Sequence, residues 1–265
     1  MAIERLNIKQ LPNIRDLGGF ETENGKKIVY GKLFRSGKLY KLNNYTKNAI
    51  EKLNLSYVID LRIDTECNEK PDSKINGVTY LHCPLLCTAT PAITAEKSMR
   101  VTMKKESKRI KKEFGTADNY MVEMYKRVLL NPDSKEMLKK ILNVILESEG
   151  GVLWHCNGGK DRAGLVSMLV EGLLGVKEET IISDYVISHK YQKRKHFWAN
   201  FGLSIAFLGT EFRKIILNML SAKPEYIIKT LEFINQTYGG IVPYAKKELN
   251  VTDEFIENLR SKYLE

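Results

Sequence analysis

Hydrophobic and polar positions change period along the chain, so that short extended runs alternate with helices. Apolar residues three and four apart mark amphipathic helices over Tyr45–Leu53, over Asp118–Leu130, and after Asp133, where Met137, Leu138, Ile141, Leu142 and Ile145 share one face. β-Branched and aromatic runs at Lys32–Arg35, Ser56–Leu61 and Val78–Leu81 read as strands. Gly151–Trp154 is a further buried strand, and Leu165–Leu174 is apolar enough for a core helix. Asn131-Pro132-Asp133 separates two helices, with Asp133 and Glu136 at capping-box spacing. Thr180–His189 and Pro224–Tyr238 are helical, the second stopped at Gly239, and Thr252 caps a last helix to about Tyr263. Strands alternating with helices predict an α/β fold: a central, mostly parallel sheet flanked by helices, with its ligand at the carboxyl end of the strand at Trp154.

Between that strand and the core helix runs His155-Cys156-Asn157-Gly158-Gly159-Lys160-Asp161-Arg162-Ala163-Gly164. The first amides of a helix lack intrahelical partners and, with the dipole, attract an anion. Gly158 and Gly159 allow a nest of converging N–H groups, Arg162 offers a planar fork for two phosphate oxygens, and Lys160 adds a second cation. The same positive field favours the thiolate of Cys156. A thiolate under a bound phosphate predicts nucleophilic displacement through a phosphocysteine, with loop amides from Asn157 to Gly164 and Arg162 holding the oxygens and Asp161 as the nearest proton donor. No metal or cofactor is required. His155 is expected to hydrogen-bond loop backbone. Asp16, Arg35, Asp60 and Arg62 are expected to form ion pairs supporting the loop, with solvated surface charge as the equal alternative.

The 265 residues are read as a single domain, since no linker or repeat divides them, and 43% hydrophobic content suits a sizeable core. No secretory leader or membrane span is recognisable, which makes a cytoplasmic protein the expectation, although a leader already removed would leave no trace. Cysteines 67, 83, 87 and 156 have neither zinc-site nor disulfide-framework spacing. A net charge of +10 fits a phosphate-rich partner: phosphoprotein, phosphoinositide or an anionic membrane surface. No nucleic-acid-binding motif accompanies it. Much of this charge lies in a basic helical stretch, Thr88–Phe114, with Lys104, Lys105, Lys108 and Arg109 at its centre. Residues 88–118 are read as a solvated face or, alternatively, as a lid inserted beside the active site. A second basic cluster comprises Lys190, Lys193, Arg194 and Lys195.

The loop is similar to the HCxxGKDRTG signature of bacterial tyrosine phosphatase family 3, the atypical PtpB/LipA-like phosphatases. Asn13-Ile14-Arg15-Asp16-Leu17-Gly18-Gly19, Leu33-Phe34-Arg35-Ser36, Asp60-Leu61-Arg62, Tyr120-Met121 with Tyr125, Asp184-Tyr185, and Tyr238-Gly239-Gly240 to Tyr244 agree as well, so the resemblance spans nearly the whole chain. It implies a tyrosine phosphatase-like fold with Cys156 as nucleophile, Arg162 binding phosphate and Asp161 as general acid. Lys160 corresponds to a lysine linked in that family to phosphoinositide recognition. Two departures stand out. Ala163 replaces the hydroxyl residue that eases departure of the thiolate, which predicts slow breakdown of the intermediate. His82-Cys83-Pro84-Leu85-Leu86 lacks the carboxylate that some relatives carry, which puts the weight on Asp161. The implied activity is a protein-tyrosine, dual-specificity or phosphoinositide phosphatase. A phosphate-binding module with little catalysis and a persulfide-based sulfur transferase are the alternatives.

Overall fold

Among the described residues, five strands form one sheet in the order β1-β2-β5-β3-β4: β1 is Arg15–Asp16, β2 Leu33–Gly37, β3 Leu55–Asp60, β4 Thr79–His82 and β5 Gly151–Cys156. The computed structural model describes residue 6, residues 8–85, 108–191 and 221–265. β5 lies at the centre, parallel to β2 and β3; β4 is parallel to β3, and only β1 runs antiparallel, on β2. This is the central, mostly parallel sheet that the alternating pattern predicts, with the carboxyl ends of β2, β3, β4 and β5 on one edge.

All six residues of β5 are buried, as a strand between two neighbours and two covered faces requires. Alternation divides them: Val152, Trp154 and Cys156 join the large core beneath the helices, whereas Leu153 joins Phe34, Val58 and Ile50 on the other face. Ile50 belongs to α1 (Asn44–Glu51), whose N-cap Asn43 accepts from the Thr46 amide at 2.9 Å. α2 (Asp64–Glu69) follows β3. The other face is covered by α3 (Ala117–Leu130), α4 (Pro132–Glu147), α5 (Asp161–Leu174), α6 (Glu178–Tyr191), α7 (Pro224–Tyr238), α8 (Ile241–Leu249) and α9 (Asp253–Tyr263). α5 is the hub: it packs on β5 and β2 and touches α6, α8 and α9. Its hydrophobicity on all sides follows from that surrounding. Trp154 is a core residue, its indole donating to the Ala163 carbonyl at 3.2 Å and to Ser167 Oγ at 3.1 Å.

Several sequence expectations need correction. β5 continues two residues beyond Trp154 and α5 begins four residues before Leu165, because hydrophobic patterning marks the buried middle of an element and not its polar ends. α4 is capped by Asn131, which accepts from the Ser134 amide at 3.0 Å, with Pro132 in the first turn; Asp133 is therefore inside the helix. α2 and α8 were not anticipated, the first because six residues without a buried side chain carry no periodicity, the second because Gly239, Gly240 and Pro243 read as punctuation. Of the proposed lid, residues 88–107 lie outside the described residues and 108–114 are helical. Lys193, Arg194 and Lys195 also lie outside them. Among the described residues no helix is long and apolar enough to cross a membrane.

Candidate active site

Cys156 is the last residue of β5, 3% exposed, and the chain turns through residues 157–160 into α5. Gly159 permits that turn. Its φ is +65°, and a Cβ there would lie 2.4 Å from the Ser36 carbonyl, so no side chain fits. Gly158 has no such requirement, since its φ is not positive.

The loop is held by its carbonyls. Asn13 Nδ2 donates to Gly159 O at 2.6 Å and Gly158 O at 3.2 Å. Arg35 Nη2 donates to Gly159 O and Lys160 O, each at 3.0 Å. The Lys38 amide reaches Asn157 O at 3.4 Å. In a trans peptide the N–H points opposite to the C=O, so carbonyls pulled outward turn the amides of residues 158–161 inward. The start of α5, which no side chain caps, adds its dipole to the same side.

Beneath the loop lies a buried ion cluster. Arg15 Nε donates to Asp184 Oδ1 at 2.5 Å, and Arg35 Nη1 bonds Asp184 Oδ2. Burial works against ionisation of Asp184, but the two guanidiniums overcome it and hold its carboxyl below the ordinary range. Glu171 goes the other way: burial first, then the charge of Asp184, raise its carboxyl well above the ordinary range. Two guanidiniums thus face one ionised carboxylate, leaving a positive excess under the anion loop. Gly164 makes room for this arrangement, since a Cβ there would come 3.2 Å from Arg35 Nη2.

Arg162 projects from the first turn of α5 and is gripped by Glu66 of α2, Nη1 to Oε2 at 2.5 Å and Nη2 to Oε1 at 2.9 Å. Burial opposes ionisation of Glu66; the Arg162 fork outweighs it, and the net pKa is lowered. Glu66 also accepts from Asn157 Nδ2 and, at 3.2 Å, from the Ile63 amide. α2 is itself tied to the sheet by Arg62, which bonds Asp60, Asp72 and, at 2.8 Å, the Lys70 carbonyl at the end of α2. Burial pushes the Asp60 carboxyl up, but the Arg62 bonds and the field of His155 bring it down to about 2.

The predicted site residues therefore divide. Arg35 supports the loop directly, whereas Asp60 and Arg62 pair with each other and act through α2. The carboxylate of Asp16 accepts from the amides of Gly18 at 2.8 Å and Gly31 at 2.6 Å and fixes the turns beside β1. His155 faces the acidic pair instead of loop backbone, with Nε2 2.8 Å from Asp72 Oδ2, off the line of a hydrogen bond, and Nδ1 3.8 Å from Asp60. Asp60, Asp72 and His155 lie close enough to share a cation, but Arg62 already supplies the compensating charge. Lys160 is buried, its ammonium donating to Ser221 O at 2.8 Å and lying 3.2 Å from Asp161 Oδ1. Ala163 is fully buried against Trp154. Asp161 is 30% exposed at its side chain, and its Oδ1 accepts from the Tyr125 hydroxyl. A second thiol, Cys67, bonds Asp60 Oδ2 at 3.2 Å; burial and then that carboxylate raise it to about 12, which disqualifies it as a nucleophile at neutral pH.

Sequence reasoning missed Glu66 and Asp72 and gave no role to Asn13, Asp184 or Tyr125. The one local signal for Asn13 is its residue type: asparagine tolerates the left-handed backbone seen there, φ 60°. Glu66 has no local signal, because its partner is 96 residues away.

Comparison with known proteins gives the family. The family model described as "Tyrosine phosphatase family" matches residues 6–265. The chain is 25% identical over 256 residues to the putative tyrosine-protein phosphatase H16_A0669 of Cupriavidus necator, covering 96% of this chain and 86% of that one. It is 24% identical to the triple specificity protein phosphatase PtpB of Mycobacterium tuberculosis, covering 97% and 99%. Among solved structures, the core catalytic domain of the PP-IP phosphatase SIW14 from S. cerevisiae aligns with a TM-score of 0.35 at 13% identity, over 89% of this chain and 98% of that one. TpbA of P. aeruginosa aligns at 0.30 and 11%, over 77% and 89%. With a family match running over residues 6–265, the chain belongs to the tyrosine phosphatase family.

Proposed function

We propose that the chain is a cysteine-dependent phosphatase of phosphomonoesters in which Cys156 is the nucleophile, Arg162 and the inward amides of residues 158–161 bind the phosphoryl oxygens, and Asp161 is the general acid. The sulfur attacks phosphorus; the phosphorus–oxygen bond of the ester breaks, and Asp161 gives its proton to the leaving oxygen. Water then attacks the phosphocysteine, Asp161 takes a proton from it, and the phosphorus–sulfur bond breaks to regenerate the thiolate. Arg162 and the amides act where charge grows on the equatorial oxygens. The observation that carries this reading is the orientation of the loop: Asn13 and Arg35 hold its carbonyls outward around Cys156, and Glu66 fixes the fork of Arg162.

Phosphotyrosine is the favoured substrate. The nucleophile is buried at the base of the loop, so the phosphate must stand well clear of the substrate backbone. Lys160 speaks against a phosphoinositide role, because its side chain is buried and its ammonium is bound to Ser221 O. A relative named for triple specificity supports a substrate range wider than phosphotyrosine, and we extend the proposal to phosphoserine and phosphoinositides. The net charge of +10 suits any of these, and an anionic membrane surface besides. Cys156→Ser should abolish turnover of p-nitrophenyl phosphate and of phosphotyrosyl peptide while preserving binding of inorganic phosphate. Turnover in that variant within tenfold of the native rate would refute the assignment.

A further inference from the structure

Three tyrosines converge behind the proposed general acid, and the proton count among them is fixed. The Tyr125 hydroxyl donates to Asp161 Oδ1, and the Tyr185 hydroxyl lies 2.7 Å from that of Tyr125. Tyr125 has one proton, and it goes to Asp161; Tyr185 must therefore donate to Tyr125. Tyr226, the third, does not compete, since its hydroxyl donates to Asp118 Oδ1 at 2.6 Å, where Lys223 also binds at 2.7 Å. Both Tyr125 and Tyr185 are fully buried, and burial, reinforced by the charge of Asp161, keeps them protonated donors far above neutral pH. Lys160 stands 3.2 Å from the same Oδ1. One oxygen of the carboxyl thus faces two donors, and among the described residues the other, Oδ2, has no protein partner.

We infer that Tyr125, backed by Tyr185, is a positioning residue for the leaving-group proton: by donating to Oδ1 of Asp161 it confines the acid's own proton to Oδ2. Two donors at Oδ1 leave no place for a proton there, so the protonated acid is the single tautomer with its hydrogen on Oδ2. The bond also favours the transfer itself. As Asp161 gives its proton to the leaving oxygen it becomes a carboxylate, and a hydrogen bond to a developing anion strengthens along the reaction. The Tyr125 hydroxyl bonds Asp161 and Tyr185, so it acts through Asp161.

The inference rests on Asp161 being the general acid, and the experiment separates the two claims. Tyr125→Phe is compared with the native protein on phenyl phosphate, a poor leaving group, and p-nitrophenyl phosphate, a good one, with the Ki of inorganic phosphate as a check on the loop. We expect kcat/KM to fall about tenfold on phenyl phosphate and less than twofold on p-nitrophenyl phosphate, with Ki unchanged, which is the scale of one hydrogen bond to a charged group. In an Asp161→Asn background the substitution should have no further leaving-group effect. Equal slowing of both substrates, or an undiminished effect in that background, would overturn the role of Tyr125. If Asp161→Asn alone slowed both substrates equally, the assignment of Asp161 would fall, and this inference with it. Should Tyr125→Phe not fold, Tyr185→Phe tests the same chain, with the same selectivity at about two- to fivefold; no selectivity there would overturn it.

Discussion

Arg162 works as a phosphate clamp only while its fork is aimed, and Glu66 is the residue that aims it. The two side chains are 12% and 17% exposed and joined by two bonds of 2.5 and 2.9 Å. Removing one partner of a fully buried pair costs about 3–5 kcal/mol. Glu66→Gln retains one carbonyl oxygen for one of the two bonds and sits where some water reaches, so about 1.5–3 kcal/mol is the appropriate range. That corresponds to a loss of roughly 10- to 150-fold in kcat/KM. The assay is steady-state hydrolysis of p-nitrophenyl phosphate alongside inhibition by inorganic phosphate. Both catalytic efficiency and phosphate affinity should fall, because the fork meets the phosphoryl group in ground and transition states alike. Glu69→Gln, an exposed charge at the other end of the same short helix, is the control and should change nothing by more than twofold. A Glu66→Gln protein that melts normally and retains kcat/KM within twofold would show that Arg162 is oriented by something else.

Ala163→Ser restores a hydroxyl beside the loop, and kcat on p-nitrophenyl phosphate should rise severalfold while the pre-steady-state burst shrinks; an unchanged burst would mean that breakdown of the intermediate is not slow. Acid should unfold the protein through its paired carboxylates. Asp60, held at about 2 against an ordinary value of 3.8, contributes stability that is complete above the unfolded value and disappears as pH falls through the folded one, worth about 2 kcal/mol; Asp60→Asn should therefore lower the melting temperature at pH 6 and have little effect near pH 2. Glu171 has the opposite sign. Its folded pKa is raised, so holding it protonated costs stability above the unfolded value, and Glu171→Gln should raise the melting temperature at pH 7.5 but not at pH 4; a lower melting temperature at pH 7.5 would contradict the neutral state.

The architecture was legible because strands such as Ser56–Leu61 and helices such as Asp118–Leu130 carry their periodicity in the buried residues themselves. The loop was legible because glycine, lysine and arginine between a strand and a helix have a local mechanical meaning. What aims the loop was not. Glu66 and Asp184 meet their partners across 96 and 149 residues, and nothing in a window of sequence distinguishes them from surface acids. The turns fixed by Asp16 were hidden for the same reason: composition gives its charge but not the pair of backbone amides that meet it. His155 was misjudged because its neighbours in sequence are loop residues, whereas its neighbours across the sheet are the carboxylates at the ends of adjacent elements.

The most direct test of a sulfur nucleophile at the base of this loop is to trap the intermediate. Native protein mixed with excess p-nitrophenyl phosphate, quenched during turnover and digested, should carry one phosphoryl group on the peptide containing Cys156, and none in Asp161→Asn protein denatured before mixing. Turnover accompanied by a phosphoryl group on any other residue, or by stoichiometric burst release with Cys156 unmodified, would contradict the account.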